Sequence, residues 1–250
     1  MTILRPELEP LDRIIWSADV DDEAALMTVL KTMPELRCIK IDRLFLEGQP
    51  LSIIAALQYR GIKVFDDSKM VEIPTKLLAI AKKHLEFRPW MLNCMAGSAS
   101  SMLMHGPDTD KVDGLKRFAD ACHEVGTRPC AVTVLTTKSP EVVSYEFNYR
   151  TPVDQVLTYV EMLLECGFTD VVCSAQEAPA IRKESRFDGL CLVTPGIRLP
   201  EGDAHDQARV VTPEAAVEGG SDYLVIGRPL TNGVPADNLR LIADRLPRAA

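Results

Sequence analysis

The chain has 250 residues, of which 46% are hydrophobic and 26% charged, so it carries enough apolar material for a sizeable core. Its 36 acidic and 28 basic residues give a formal net charge of −8. An acidic chain lacks the basic surface that sequence-independent binding to DNA or RNA requires, and we expect no nucleic-acid partner.

Targeting and redox features favour a cytoplasmic protein. The N-terminal segment MTILRPELEPLDR contains acidic residues and prolines, unlike a secretory signal. No run approaches 18 uncharged apolar residues, so we expect no transmembrane helix and no membrane partner. The seven cysteines include no CxxC pair, which is typical of reduced, buried thiols. The four histidines form no HExxH motif, so we expect no metal site.

Short apolar runs alternate along the chain with longer segments that have a helical pattern. Strands are predicted at residues 13–19, 36–42, 62–67, 88–94, 128–136, 169–175, 189–194 and 222–227. Between them, segments such as PLSIIAALQYR and PVDQVLTYVEMLLECG have apolar residues three and four positions apart, which predicts helices with one buried face.

Strands that alternate with helices form parallel βαβ units. Strands rich in Val, Ile and Leu belong to a sheet that is covered on both faces. Eight such units most simply close into an α/β structure, the (β/α)8 TIM barrel, and we expect a single domain over residues 1–250. An open, doubly wound sheet is the alternative, but its GxGxxG motif is missing after the first strand, which ends in SADVDD.

Charged residues follow the second and third predicted strands, at the end of the barrel where active sites lie. Lys40 lies at the end of the second strand, Asp67 ends the third, and Lys69 and Glu72 follow it. Adjacent strands are about 5 Å apart, so these groups can form a row of alternating charges. Flanking carboxylates stabilise a protonated lysine, which suits Lys69 to proton donation and not to a Schiff base. A salt-bridge network at the rim is the structural alternative.

The segment DYLVIGRPLTNG predicts a phosphate site. Its Gly227 and Arg228 open a short helix and offer backbone N–H groups and a guanidinium, at the usual phosphate site of this fold. Upstream, residues 194–213 have no clear periodicity, and their Gly, Pro and polar content favours a lid from which Gln207 could reach a bound group. A solvent-exposed arginine at a glycine turn is the alternative.

Several segments together resemble orotidine 5′-phosphate decarboxylases of the bacterial type. The matching segments are AVTVLTT, VVCSAQEA, VTPGIR, DQARVVTPEAAVEGGSDYLVIGRPLT and, more loosely, DDSKMVEIP. The resemblance implies a homodimeric (β/α)8 barrel with active sites shared between subunits. It also implies that orotidine 5′-phosphate, a nucleotide, is decarboxylated to UMP without a metal or an organic cofactor.

The resemblance further implies roles for the charged row. Asp67 and Lys69 match the first acid and the lysine of the family's DxKxxD motif, so Asp67 adjoins the departing carboxylate and Lys69 protonates C6 of the pyrimidine. Lys40 matches the lysine of the second strand. Glu72 matches the final Asp of the motif, which the family delivers into the site of the neighbouring subunit.

The remaining residues that the resemblance assigns contact the ribose, the pyrimidine or the phosphate. They are Asp19 near the ribose, Thr136 or Thr137 near the pyrimidine, Pro195 in the base pocket, Gln207 in the lid, and Gly227 with Arg228 at the phosphate.

Departures from the family pattern lie on strands three and four and leave other functions open. Glu72 is one methylene longer than Asp, and NCMAGS (93–98) replaces a histidine-containing stretch. One alternative is a divergent paralogue that binds a pyrimidine nucleotide but carries out altered chemistry. Another is a metal-dependent sugar-phosphate decarboxylase or aldolase of the same superfamily, which carries an acid where this chain has Lys40. A third is a nucleotide sensor without enzymatic activity.

Overall fold

The structure is a computed structural model that describes residues 5–98, 113–199 and 211–248. Its eight strands form a closed parallel barrel in which each strand pairs with the next along the chain, and the last pairs with the first. The predicted (β/α)8 barrel is therefore confirmed, and the open sheet is excluded.

Each strand of the barrel falls on one of the predicted apolar runs. The strands are β1 Ile14–Ser17, β2 Cys38–Asp42, β3 Lys63–Met70, β4 Met91–Met95, β5 Arg128–Val132, β6 Asp170–Val172, β7 Cys191–Thr194 and β8 Tyr223–Ile226. Three of the predicted C-terminal ends are wrong by three residues or more, because β5 and β6 stop early and β3 continues further than predicted. β5 stops at Val132 because the chain then turns, with the amide of Lys138 donating to the carbonyl of Leu135. β3 continues past the predicted end at 67 as far as Met70.

Helices of varied length connect the strands within the described residues. They are α1 Pro10–Arg13, α2 Glu23–Thr32, α3 Arg43–Gly48, α4 Ser52–Tyr59, α5 Pro74–Leu85, α6 Asp113–Glu124, α7 Pro140–Glu146, α8 Pro152–Glu165, α9 Ala178–Arg182, α10 Pro213–Glu218, α11 Arg228–Thr231 and α12 Pro235–Ala243. Local sequence explains their starts. Proline occupies the first turn of α5, α8 and α12, and α8 begins with a capping box between Thr151 and Asp154.

The core has one layer inside the barrel and one between the sheet and the helices. Ile15, Phe65 and Val193 are among the residues packed inside the barrel. All seven cysteines are buried thiols, and burial raises the pKa of Cys166 to about 11, so they behave as small apolar side chains. In the part of the chain that the structure describes, no helix has the length and apolar character needed to cross a membrane.

Candidate active site

A cavity of about 290 Å³ opens at the carboxyl ends of the barrel strands. This volume lies just below the usual range for small-molecule sites, which is about 300–1,000 Å³. The predicted site residues that line it are Asp19, Lys40, Asp67, Lys69, Thr136, Thr137, Pro195, Gly227 and Arg228. The topology therefore gathers residues from distant parts of the chain into one place.

The predicted charged row is centred on the carboxylate of Asp67. One oxygen, Oδ2, lies 2.7 Å from Nζ of Lys40 and 2.5 Å from Nζ of Lys69. The side chain of Asp67 is only 6% exposed, whereas that of Lys69 is 41% exposed. Lys69 therefore pairs with a buried anion while it remains accessible from the cavity.

The protonation of Asp67 follows from these neighbours. Burial raises the pKa of the Asp67 carboxyl, but the charges and hydrogen bonds of Lys40 and Lys69 together outweigh burial and hold that pKa below its usual range. A negative charge is thus fixed in the wall of the cavity at neutral pH.

Asn93 is a site residue that sequence reasoning missed. Its fully buried side chain on β4 donates from Nδ2 to Oδ1 of Asp67, at 2.6 Å, and accepts the amide N–H of Lys69 at Oδ1, at 2.7 Å. Asn93 therefore orients both members of the Asp67–Lys69 pair. The available signal was one amide residue inside the apolar run WMLNCM.

Asp67 and Lys69 lie in a bulge of β3. Asp66 pairs with Leu92 and Met70 with Cys94, so four steps along β3 oppose two steps along β4. Within this bulge, which spans residues 66–70, the backbone of Lys69 has a φ of 43°. Such a left-handed conformation is uncommon for a residue other than glycine, and strained backbone of this kind clusters at functional sites.

The ends of β1 and β8 approach closely on another side of the cavity. Ser17 donates from Oγ to Oδ1 of Asp19 at 3.2 Å. A Cβ atom at Gly227 would lie 3.2 Å from Oδ2 of Asp19. A residue without a side chain at 227 therefore leaves room for the Asp19 carboxylate, and Arg228 follows immediately at the start of α11.

Loops after β5 and β7 complete the wall. Thr136 is buried and Thr137 is exposed, and both line the cavity with apolar neighbours such as Val134. Arg198, which sequence reasoning left without a role, also lines the cavity and is 9% exposed. Its Nη1 donates to the carbonyl of Ile197 at 2.9 Å. The cavity thus combines an apolar wall with two arginines, Arg198 and Arg228.

One predicted site residue lies outside the described residues, and another does not line this cavity. Gln207 lies outside the described residues. Glu72 follows β3 in an exposed segment, and its amide N–H donates to Oγ of Ser98 at 2.8 Å. Its neighbours in a separate, smaller cavity include Arg43 and His84. Within one chain, Glu72 is therefore not part of the charged row, and its predicted action across a dimer stays a prediction.

The arrangement can bind an anionic ligand and exchange a proton with it. Arginine and backbone N–H groups suit a phosphate, and a lysine ammonium held beside a fixed carboxylate suits proton donation to a carbon that becomes negatively charged. Within the described ranges, no group of three or more His, Cys, Asp or Glu side chains is placed to hold a metal ion.

Comparison with known proteins finds relatives that match most of the chain. Residues 12–236 match the model of the orotidine 5′-phosphate decarboxylase / HUMPS family. The orotidine 5′-phosphate decarboxylase of Pseudomonas aeruginosa is 36% identical over 228 residues, which cover 90% of this chain and 92% of that protein. That of Hahella chejuensis is 35% identical over 240 residues, which cover 92% and 95%.

A solved structure is similar in fold as well as in sequence. The crystal structure of orotidine 5′-phosphate decarboxylase from Lactobacillus acidophilus superposes with a TM-score of 0.75 at 26% identity, covering 93% of this chain and 97% of that one. The chain belongs to the orotidine 5′-phosphate decarboxylase / HUMPS family.

Proposed function

We propose that this protein decarboxylates orotidine 5′-phosphate to UMP in pyrimidine synthesis, with Lys69 as the proton donor and without a metal or an organic cofactor. One observation carries the proposal: Asp67 contacts Lys40 and Lys69 in a cavity that Arg228 also lines. The names of the similar proteins from Pseudomonas aeruginosa and Hahella chejuensis support the same reaction.

In the proposed complex, binding contacts and chemistry involve different strands. The phosphate binds Arg228 and backbone N–H groups after β8, and Asp19 contacts the ribose. The pyrimidine lies against Pro195 and the threonines at 136 and 137, with its carboxylate beside Asp67. Binding of the phosphate then supplies free energy that holds the carboxylate of the substrate against the carboxylate of Asp67, although both are negatively charged.

At C6 the proposed reaction breaks one bond and forms one, and the ammonium of Lys69 loses a proton. The bond between C6 and the carboxylate breaks, CO2 departs, and the electron pair stays on C6. The ammonium groups of Lys40 and Lys69 stabilise this developing charge, and Nζ of Lys69 then transfers a proton to C6. Gln207 is proposed to close over the substrate from the segment that precedes α10.

We further propose a homodimer in which Glu72 completes the site of the partner. Val71 and Ile73, which flank Glu72, are each 62% exposed, and Leu44 on the nearby α3 is 80% exposed. Large apolar side chains grouped at the surface indicate a protein interface. A cytoplasmic location accords with this proposal.

The decisive experiment is a direct assay with purified protein. Orotidine 5′-phosphate is added with EDTA present, and decarboxylation is followed by the ultraviolet absorbance of the pyrimidine. We expect turnover by the parent and by Lys116→Ala, a change at an exposed lysine on α6, but none above background by Lys69→Ala. Absence of turnover by the parent refutes the proposed reaction, and equal turnover by Lys69→Ala refutes the proposed proton donor.

A divergent paralogue is the second candidate, and the longer side chain of Glu72 favours it. This candidate predicts that UMP and orotidine 5′-phosphate each bind when titrated separately in calorimetry. It also predicts that orotidine 5′-phosphate is not decarboxylated in the assay. The same protein sample distinguishes the two candidates.

A further inference from the structure

A buried polar network on the outer face of β3 is not used by the proposed chemistry. The network consists of Asp66, Ser68 and His84. The Asp66 side chain is fully buried, Oγ of Ser68 donates to its Oδ1, and Nδ1 of His84 on α5 lies 2.6 Å from its Oδ2. This distance is that of a hydrogen bond between the imidazole and the carboxylate.

Packing alone does not explain a carboxylate in this position. The layer between β3, β4 and α5 is otherwise apolar and includes Leu77, Ala81 and Leu92. Burying a carboxylate is unfavourable unless it is paired and hydrogen-bonded, and an apolar side chain of similar volume would fill the same space. Unlike an apolar contact, these hydrogen bonds are directional, and they link Ser68 to Asp66 and Asp66 to α5.

The network holds the bulge from the side opposite to the cavity. Asp66 is the last residue paired regularly with β4 before the bulge, and Ser68 lies inside the bulge next to Lys69. On the cavity side, Asn93 binds the amide of Lys69 and the carboxylate of Asp67. The strained segment is thus held from both faces of the sheet.

We propose that Asp66, Ser68 and His84 are positioning residues, which hold the bulge so that Nζ of Lys69 stays against Asp67. The kinetic effects expected from this inference rest on the proposed function. A displacement of about 1 Å at a reacting group can reduce the rate about 100-fold, so loss of the network is expected to reduce kcat. The phosphate and pyrimidine contacts lie on other strands, so KM is expected to change little.

The test compares three substitutions in α5. His84→Leu removes the hydrogen bond to Asp66, His84→Asn can restore a donor close to the position of Nδ1, and Lys82→Gly weakens the exposed face of the helix without touching the network. We expect His84→Leu to lower kcat about 10- to 100-fold with KM within about twofold of the parent. His84→Asn should regain most of the activity, and Lys82→Gly should lower Tm and keep kcat.

A second readout is independent of the reaction. In crystal structures of the parent and His84→Leu, we expect the distance between Nζ of Lys69 and Oδ2 of Asp67 to grow in the variant beyond about 4 Å, the limit of an ion pair. An unchanged distance overturns the positioning role. So does an equal kcat of His84→Leu and Lys82→Gly when the two variants lose the same amount of Tm. A parent that does not convert orotidine 5′-phosphate refutes the proposed function alone, because the distance still tests the network. If His84→Leu does not fold, Ser68→Ala removes a single hydrogen bond and serves for both readouts.

Discussion

The ammonium group of Lys40 lies 2.7 Å from Oδ2 of Asp67 and joins β2 to β3 across the wall of the cavity. Both side chains are almost shielded from solvent, at 12% and 6% exposure. Nζ of Lys69, two residues further along β3, contacts the same oxygen. Breaking a buried ion pair on one side leaves the other charge uncompensated, so this contact affects stability as well as chemistry.

The first prediction concerns the pH dependence of stability at Asp67. Burial raises the pKa of Asp67, but Lys40 and Lys69 lower it further than burial raises it. A carboxyl whose folded pKa is lowered adds stability above its unfolded pKa, about 3.9, and that stability is lost as pH falls through the folded value. We expect Asp67→Asn to lower the free energy of unfolding by about 3 kcal/mol at neutral pH.

Urea unfolding of parent and Asp67→Asn at a series of pH values checks this prediction. The difference between the two proteins should be constant above about pH 5 and shrink below about pH 4. A difference that does not vary down to the acid limit of the measurement would contradict the assigned ionisation of Asp67.

The second prediction concerns phosphate recognition by Arg228. Hydrogen bonds to charged groups contribute about 1.5–3 kcal/mol each, so we expect Arg228→Ala to weaken UMP binding about 10- to 100-fold. Binding of uridine, which has no phosphate, should change less than about twofold under the same conditions. Calorimetric titration of both ligands measures the split, with Lys116→Ala as the control. Equal losses for UMP and uridine would place the phosphate elsewhere.

The third prediction concerns the close approach of Gly227 to Asp19. A Cβ atom at position 227 would lie 3.2 Å from Oδ2 of Asp19, so Gly227→Ala should push that carboxylate out of place. We expect kcat/KM to fall about 10-fold, as is typical of small displacements at a binding group. Gly48→Ala is the matched control, because a Cβ there meets nothing within 4 Å. Equal kinetics of the two variants would show that the Asp19 carboxylate needs no such space.

The fourth prediction concerns a site shared between subunits. Lys69→Ala and Glu72→Ala should each have little activity as separate homodimers. After unfolding and refolding together in equal amounts, about half of the dimers are mixed, and one of their two sites has both Lys69 and Glu72. We therefore expect recovery of about a quarter of parental activity.

The oligomeric state provides the control for that mixture. Ile73→Asp places a charge in the exposed apolar group and should shift the protein to monomers in analytical ultracentrifugation. Mixing two variants that both carry Ile73→Asp should restore nothing. Full activity of a monomeric Ile73→Asp variant would rule out a shared site.

The sequence predicted the barrel and most of the cavity lining for a physical reason. Apolar runs and helical periodicity depend on burial, which is local information, and a parallel barrel brings all strand ends to one rim. Asp67, Lys40 and Arg228 could therefore be placed together without coordinates. The ends of β3 and β5 could not, because they depend on pairing between strands.

The residues that sequence reasoning missed on β4 and α5 depend on register. Asn93 reads as one polar residue in a buried strand, and His84 as one histidine on a helix face. Their roles appear only when β3 is offset against β4 by the bulge and α5 is packed over it. Similarly, Asp66 and Asp67 are neighbours in the chain but lie on opposite faces of the sheet. Asp67 therefore lines the cavity, and Asp66 belongs to the buried network.

The bulge in β3 makes the length of this strand critical. Successive side chains of a strand alternate between faces, so removal of Ser68 would leave one extra residue opposite β4 in place of two and would turn Lys69 away from the cavity. Such a shortened chain would lose the contact between Lys69 and Asp67, and with it the proposed proton donor.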